Sequence, residues 1–368
     1  MTTLTAAELD QILKNAGLSK TVYAYVMPET EQVIDGIMGN TGSPERAAFH
    51  DMYTAAWTKK QDAMHLDFFK TWHEWTSDVV TLGDGYKYEY PTAGASEPIR
   101  EAIYQYGLHT LQQGLKPVIH IFAGEYEGYK AYADAAGIQV VEHDRNHWWD
   151  TLDKIEGHHQ FYLSHPSAID GNIWPEYDSF MHRLSEHNPA AKVMLDLTYV
   201  GCVARDFHIN ADYENIEQIC FSLSKPFGLY YHRIGGVLSR TESKGLFGNQ
   251  WFKNLLSLKI GTEMMKHFDV HELARRYQPV QAQTLTQAAE VLGGEVKAAD
   301  IFLLGTIDIP ADPKPIHQYL RRHATHGFAR ICLTPTIAHI VNPEISPDVH
   351  VRYYEQLQLE PNRGAVMP

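Results

Sequence analysis

From about residue 87 onward, short runs of β-branched and aromatic residues alternate with longer stretches whose apolar positions recur at helical spacing. The runs are Lys116–Phe122, Gln139–His143, His159–Ser164, Lys192–Tyr199, Gln218–Ser224 and Ile234–Arg240. Ahead of them, Pro98–Gln113 sets Ile99, Ala102, Ile103 and Tyr106 at i, i+3, i+4 and i+7, one face of a helix. Strand and helix in alternation predict an α/β fold, a mostly parallel sheet with helices on both faces. Trp251 to about Leu292 reads as helix-rich. The last stretch reads as a small α+β unit, with strand Ile301–Ile307, helix Ile316–His326 and strand Ala329–Thr334.

The first 85 residues are less regular. Thr5 and Glu8 have capping-box spacing and open a helix expected to reach Lys14. Asp62–Trp75 is the clearest helical pattern in the aromatic and polar stretch that follows. These changes divide the chain into an N-terminal arm (1–60) serving the small domain or a dimer interface, a large domain (61–275) and a small C-terminal domain (276–368).

Composition narrows the functional classes. The 368 residues carry 31 basic and 45 acidic side chains, a net charge of −14, which argues against a nucleic-acid footprint or a basic membrane-binding face. Three cysteines (Cys202, Cys220, Cys332) are too few for a disulfide framework, so a reducing, cytoplasmic setting is expected. The start M-T-T-L-T-A-A-E has neither the basic head nor the apolar run of a secretory signal, and no run of ~18 apolar residues spans a membrane.

Ligands of open α/β sheets bind beyond the carboxyl ends of the strands, so chemistry is sought there. Lys225 ends the run Ile219–Ser224, with Ser222 and Ser224 before it and Arg233 eight residues after it. A partly desolvated lysine loses preference for its ammonium form and becomes nucleophilic, and an arginine fork matches phosphate. One run earlier, V-M-L-Asp196-L-T-Tyr199 ends on a carboxylate in an apolar setting, with a phenol three residues on. Such a carboxylate needs a cation or donors. Upstream, Gly94-Ala95-Ser96 leads into a helix with Pro98 in its first turn, where free amides can take a phosphate. Each feature taken alone has an ordinary reading: a surface lysine, a core aspartate held by amides, a plain helix cap. Together they describe a pocket for a phosphorylated pyridine aldehyde.

The stretch S-L-S-Lys225-P-F-G-L-Y-Y-H-Arg233-I-G resembles the lysine motif of the aspartate-aminotransferase-like, fold-type I pyridoxal-phosphate enzymes. Asp196 and Tyr199 stand at that family's D-x-x-Y spacing, and G-E-Tyr126-E-G-Y resembles its P-x-Y-P-G-Y segment. The likeness runs from about Tyr90 to Arg240 and more weakly to the C-terminus. It implies a large domain with a seven-stranded type of sheet between helices and a small α+β C-terminal domain. It also implies pyridoxal 5′-phosphate as cofactor, with Lys225 as the Schiff-base lysine and proton shuttle. Asp196 would pair with the pyridine nitrogen, Tyr199 with the ring's 3-oxygen, and Tyr126 would stack on the ring. Ser222, Ser224, Arg233 and the Gly94, Ala95 and Ser96 amides would hold the phosphate. Arg330, in H-G-F-A-Arg330-I-C, would bind the substrate α-carboxylate; alone it reads as a surface ion pair. The family site lies at a homodimer interface, where Tyr88 or Tyr90 of a partner chain could reach the phosphate.

One element departs from the pattern. The family's N-P-x-N-P-T-G becomes His165-P-S-A-I-D-Gly171, with Ala168 where an asparagine would bond the ring, leaving Asn172 or Ser167 as substitutes or no substitute at all. The expected activity is amino transfer between an α-amino acid and a 2-oxo acid. A lyase, cyclase or decarboxylase on the same fold is the alternative, favoured by the lost asparagine, and a cofactor-binding regulator ranks third. Side-chain preference and amino acceptor are not legible. Among 21 histidines, His267 and His271 read as a helix face without the interior glutamate of a metalloprotease helix. His158, His159, His323 and His326 have no carboxylate or cysteine at ligand spacing, so no metal is expected. Trp148 and Trp149 read as core or interface.

Overall fold

Residues that alternate between apolar runs and amphipathic helices can bury both kinds of face only by layering, and that is the arrangement formed. The computed structural model describes residues 4–343 other than 23, 26, 40–41 and 59–63. Its helices are α1 (Ala6–Asn15), α2 (Pro28–Met38), α3 (Pro44–Thr58), α4 (Leu66–Thr76), α5 (Ser96–Gln112), α6 (Glu127–Ala135), α7 (Tyr177–His187), α8 (Leu255–His267), α9 (Glu272–Leu292), α10 (Pro315–Leu320) and α11 (Thr334–Val341). Its strands are β1 (Val80–Thr81), β2 (Tyr88–Thr92), β3 (Val118–Phe122), β4 (Gln139–His143), β5 (Gln160–Ser164), β6 (Lys192–Asp196), β7 (Ile209–Asn210), β8 (Ile216–Ser222), β9 (Gly235–Ser239), β10 (Val296–Ala298), β11 (Leu304–Asp308) and β12 (Phe328–Cys332).

Seven strands form the main sheet in the order β2-β9-β8-β6-β5-β3-β4. β4, β3, β5, β6 and β8 run parallel, while β9 is antiparallel to β8 and to β2. β2 has no counterpart among the expected runs. It carries Pro91, which a sheet tolerates at an edge, and β2 is an edge strand. On one face, α4 buries Phe68, Phe69 and Trp72, and Trp72 stacks on Phe221 of β8 at 4.4 Å. On the other, Ile99, Ile103 and Tyr106 of α5 join Tyr129 and Tyr162 in a second cluster.

A separate antiparallel sheet, β10-β11-β12, forms the C-terminal unit. The chain start is bound to it: Ser19 and Cys332 exchange backbone hydrogen bonds at 3.1 and 2.8 Å, and the Thr336 amide donates to Gly17 at 3.0 Å. The α1 capping box forms as expected, with Glu8 Oε2 accepting from the Thr5 amide at 2.7 Å. α4 begins at Leu66, and Asp62 lies outside the described residues.

Several expected elements are cut short, among them the strand expected over Ala329–Thr334, which ends at Cys332. The Lys192–Tyr199 run leaves the sheet at Asp196, because Thr198 turns both its amide and hydroxyl onto that carboxylate. The run expected to Ser224 ends at Ser222, so Lys225 stands on a loop rather than at the strand's last position. The helix expected over Ile316–His326 stops at Leu320, and Arg322 beyond it reaches the Gly124 and Glu125 carbonyls instead. His267 and His271 do not share a helix face. α8 ends at His267, and His271 precedes α9 with its ring against the Val203 carbonyl at 2.9 Å.

Candidate active site

A cavity of about 520 Å³ opens beyond the ends of β6 and β8 and beside β12, lined by Ala95, Ser96, Tyr126, Ala168, Asp196, Tyr199, Ser222, Ser224, Lys225, Arg233 and Arg330 among others. Gly94 adjoins it. Of the residues singled out from the sequence, Asn172, Ser167, Tyr88 and Tyr90 do not line it.

Lys225 follows a serine turn in which Ser222 Oγ donates to Ser224 Oγ at 3.0 Å and accepts from the Ser224 amide at 3.2 Å. Its Nζ donates to the carbonyl of Val22 at 2.5 Å. Burial disfavours the ammonium and pushes Lys225 down to about 8, so a useful fraction is the neutral nucleophile near neutral pH.

A candidate anion cradle is built largely from backbone. Gly94 has φ +83°, a conformation glycine adopts without strain, and it delivers the chain into the N-terminus of α5, whose first amides have no partner within the helix. A Cβ on Gly94 would lie 2.7 Å from Arg233 Nη2 and 3.4 Å from Ser222 Oγ, and a Cβ on Gly235 would lie 2.8 Å from Gly94 Cα. Arg233 has φ 51°, rare for a residue with a side chain, and its Nη2 donates to the Ala93 carbonyl at 2.7 Å. Strain of this kind persists only where the surroundings over-determine it.

Asp196 is buried and accepts from the Thr198 amide at 2.9 Å, the Thr198 hydroxyl at 2.5 Å and Tyr129 Oη at 3.1 Å. Burial pushes its carboxyl above the usual range, with the Thr198 and Tyr129 hydrogen bonds opposing. Tyr126 precedes α6 and stands with Oη 3.2 Å from Ser96 Oγ, edge-on to Tyr129. Tyr199 is buried in the wall, and burial raises its phenol.

Arg330 is not a surface residue. It is 3% exposed, its Nη1 donates to the Ala168 carbonyl, and its Nε has no partner among the described residues. Burial first and neighbouring Arg322 second push it down to about 10, leaving it a cation near neutral pH.

Asn172 supplies no substitute for the missing asparagine: its Oδ1 accepts from the Asp300 amide at 3.0 Å, away from the cavity. Ser167 Oγ accepts from Arg145 Nη1 at 2.8 Å. Tyr90 is fully buried in its own chain, with Oη accepting from the Ser243 amide at 3.1 Å, so it is not free to reach a partner's site. The turn at residues 156–159 brings Glu156 to His158 and His159, with ligand atoms within 4.8 Å of one another, so a carboxylate does stand beside this histidine pair. Nδ1 of His159 is already engaged by His120 Nε2 at 2.9 Å and by the Glu156 amide at 3.1 Å. Trp148 is buried and Trp149 is half exposed.

Sequence reasoning did not find Thr198, Tyr129, Glu125 or the Val22 carbonyl. Thr198 had a signal, since a threonine two residues after an aspartate commonly turns back onto it. The Val22 contact spans 203 positions and had none.

No family model and no curated protein matches the chain. Solved structures do. An Escherichia coli protein, YbdL, with a methionine aminotransferase function is similar over 93% of this chain and 95% of its own, at TM-score 0.64 and 13% identity. The PLP-bound C–S lyase of Staphylococcus hominis is similar over 80% and 82%, at TM-score 0.57 and 14% identity. Substrate-bound BacF of Bacillus subtilis is similar over 89% of each chain, at TM-score 0.59 and 13% identity. Identities this low speak to architecture, and the architecture is that of the fold-type I aminotransferases and C–S lyases.

Proposed function

We propose that the chain is a pyridoxal-phosphate-dependent aminotransferase acting on an α-amino acid and a 2-oxo acid. The observation that carries the reading is the enclosed Lys225 amine, held near neutral pKa in one cavity with a buried carboxylate and a glycine-lined cradle closed by an arginine. The donors fit the cofactor: Gly94, Ser96, Ser222, Ser224 and Arg233 suit a phosphate, Asp196 a ring nitrogen, Tyr199 a phenolic oxygen and Tyr126 a ring face. When bound, pyridoxal phosphate supplies an electron sink for the bonds at Cα.

The chain's residues would divide the remaining work. Arg330 Nε, the unpartnered donor, would take one oxygen of the substrate carboxylate and fix the orientation of Cα. Lys225 Nζ would accept the Cα proton and return it elsewhere, which a strongly basic lysine in water could not do at neutral pH. Asp196 would keep a proton on the ring nitrogen, its Thr198 and Tyr129 donors holding the carboxylate in place.

A lyase on the same machinery is the second reading, favoured by Ala168 in place of the expected asparagine. A homodimer is part of the proposal, supported by the large exposed aromatics Tyr231, two residues before Arg233, and Phe252, which stand 69% and 86% exposed. Cys202, Cys220 and Cys332 are buried and in no disulfide, which suits a reducing, cytoplasmic setting.

The test is a purified protein loaded with pyridoxal phosphate and fixed with borohydride, then mapped by mass spectrometry. The cofactor is expected on Lys225. A panel of donor amino acids without acceptor should bleach the chromophore and release a 2-oxo acid; ammonia release would select the lyase, and a colourless, unmodified protein would refute both.

A further inference from the structure

Just behind the cavity lies a carboxyl group that the chemistry above does not use. Glu125 is 3% exposed, and burial pushes it up to about 7. Its Oε1 accepts from the Ser164 amide at 3.1 Å, and its Oε2 accepts from the Ser164 hydroxyl at 2.6 Å and from the Tyr126 amide at 3.3 Å. A buried carboxyl is costly unless such donors satisfy it, and these donors all belong to segments that shape the site. Ser164 is the last residue of β5 and sits opposite Asp196 of β6.

The contacts continue. Ser164 Oγ accepts from the Ala168 amide at 2.7 Å, and the Ala168 carbonyl accepts from Arg330 Nη1. A hydrogen-bonded chain thus runs from Glu125 through Ser164 and the Ala168 peptide to the guanidinium whose Nε is left for a ligand. The far side of the same loop is held by Arg145, which reaches Ser167 Oγ at 2.8 Å and Asp170 Oδ2 at 2.6 Å. Arg322 clamps the Glu125 backbone, donating to the Gly124 and Glu125 carbonyls at 2.9 and 2.8 Å.

We propose that Glu125 and Ser164 are positioning residues that fix the Ala168 peptide and, through its carbonyl, aim Arg330 at the substrate carboxylate. In this chain, the loop position expected to carry an asparagine serves through its backbone instead. The inference rests on the reading of Arg330 as the carboxylate-binding residue. Guanidinium aim acts on carboxylate binding far more than on proton transfer at Lys225, so KM should move much more than kcat.

The experiment compares Ser164→Ala, Ser164→Thr and Glu125→Gln holoenzymes with the unaltered protein, using the donor amino acid found by the panel. Removing one buried hydrogen-bonding group is worth on the order of tenfold. Ser164→Ala should raise KM about tenfold with kcat changed less than about twofold, Glu125→Gln should shift KM in the same direction, and Ser164→Thr should restore it. Titration of the holoenzymes with glutarate, 3-phenylpropionate and acetate, followed by tryptophan fluorescence, should show the same loss for each acid that the unaltered protein binds. Unchanged KM and acid affinity in Ser164→Ala and Glu125→Gln, a fall in kcat at constant KM, or loss of the cofactor chromophore in both would each overturn the proposal. Glu125→Gln, which keeps size and shape, decides the matter if Ser164→Ala does not fold. An unaltered protein without chromophore would instead sink the functional reading beneath it.

Discussion

Gly94 and Arg233 approach so closely that a methyl group on the glycine would stand 2.7 Å from the guanidinium Nη2. The glycine also holds φ +83°, where a side chain is strained. Gly94→Ala should therefore weaken pyridoxal phosphate binding about tenfold or more, since strain near 1 kcal/mol adds to a displaced phosphate ligand. Titrating the apoprotein with cofactor measures this, and unchanged affinity would remove Arg233 and Gly94 from the cradle.

Lys225 should reveal its depressed pKa twice. Only the neutral amine attacks an aldehyde, so cofactor capture by the apoprotein should quicken as pH rises and level off above about 8. The same shift has a stability sign: the folded value lies below the ordinary 10.5, so stability is full above that value and is lost as pH falls through about 8. Lys225→Met should thus raise the apoprotein's Tm near neutral pH by at least ~2 °C, with the gain vanishing at strongly alkaline pH.

Asp196 has the opposite shift with a similar consequence. Its folded value is raised, so the stability it contributes is present in acid and lost as pH climbs through that value. Asp196→Asn should raise the Tm of the apoprotein near neutral pH while cutting kcat at least ~10-fold, because a carboxamide cannot hold a ring-nitrogen proton. A variant that keeps full kcat would show that the carboxylate plays no electronic part.

Arg330→Lys should cost about 2–3 kcal/mol in kcat/KM, since a lysine cannot reproduce the forked contact with a carboxylate. The cofactor chromophore should persist, and steady-state kinetics beside an absorbance spectrum test both halves.

His165 stacks on Tyr177 at 4.4 Å, is 1% exposed and leaves Nδ1 without a partner among the described residues. Burial pushes His165 and His120 down to about 3, and His143 and His326 down to about 4. The unfolded chain takes up protons that the folded one refuses, so stability should fall as pH drops from the usual 6.5 toward those values. His165→Phe keeps the stack and removes the orphaned nitrogen. It should stabilise the protein by about 1–3 kcal/mol, with a larger gain near pH 5 than near pH 7 in thermal melts.

The strand runs were legible because β3, β5, β6 and β8 are largely buried on both faces and read as mostly apolar segments. α2 and α3 were not: α3 mixes polar and apolar positions around its circumference, so no stripe announces it. Lys225, Asp196, Tyr126, Arg233 and Arg330 could be named because each is a polar group at an apolar boundary, in an order that resembles a known motif. Glu125 could not, since nothing local distinguishes a buried glutamate from a solvated one. Its burial depends on Ser164, 39 positions away. Asn172 was misplaced for a related reason: the loop after His165 folds tightly on itself, through Ser167, Asp170 and Gly171, and points that amide toward Asp300.

The short span between Ser19 and Val22 has an unusual position. One end is knitted to Cys332 in the small sheet, and the other offers its carbonyl to the amine of Lys225, on the loop that follows β8 of the large one. Once that amine is engaged elsewhere, the carbonyl loses its donor, and these few residues become a tether whose slack depends on what the amine holds. Amide exchange along them should report the occupancy of the cavity to the opposite sheet.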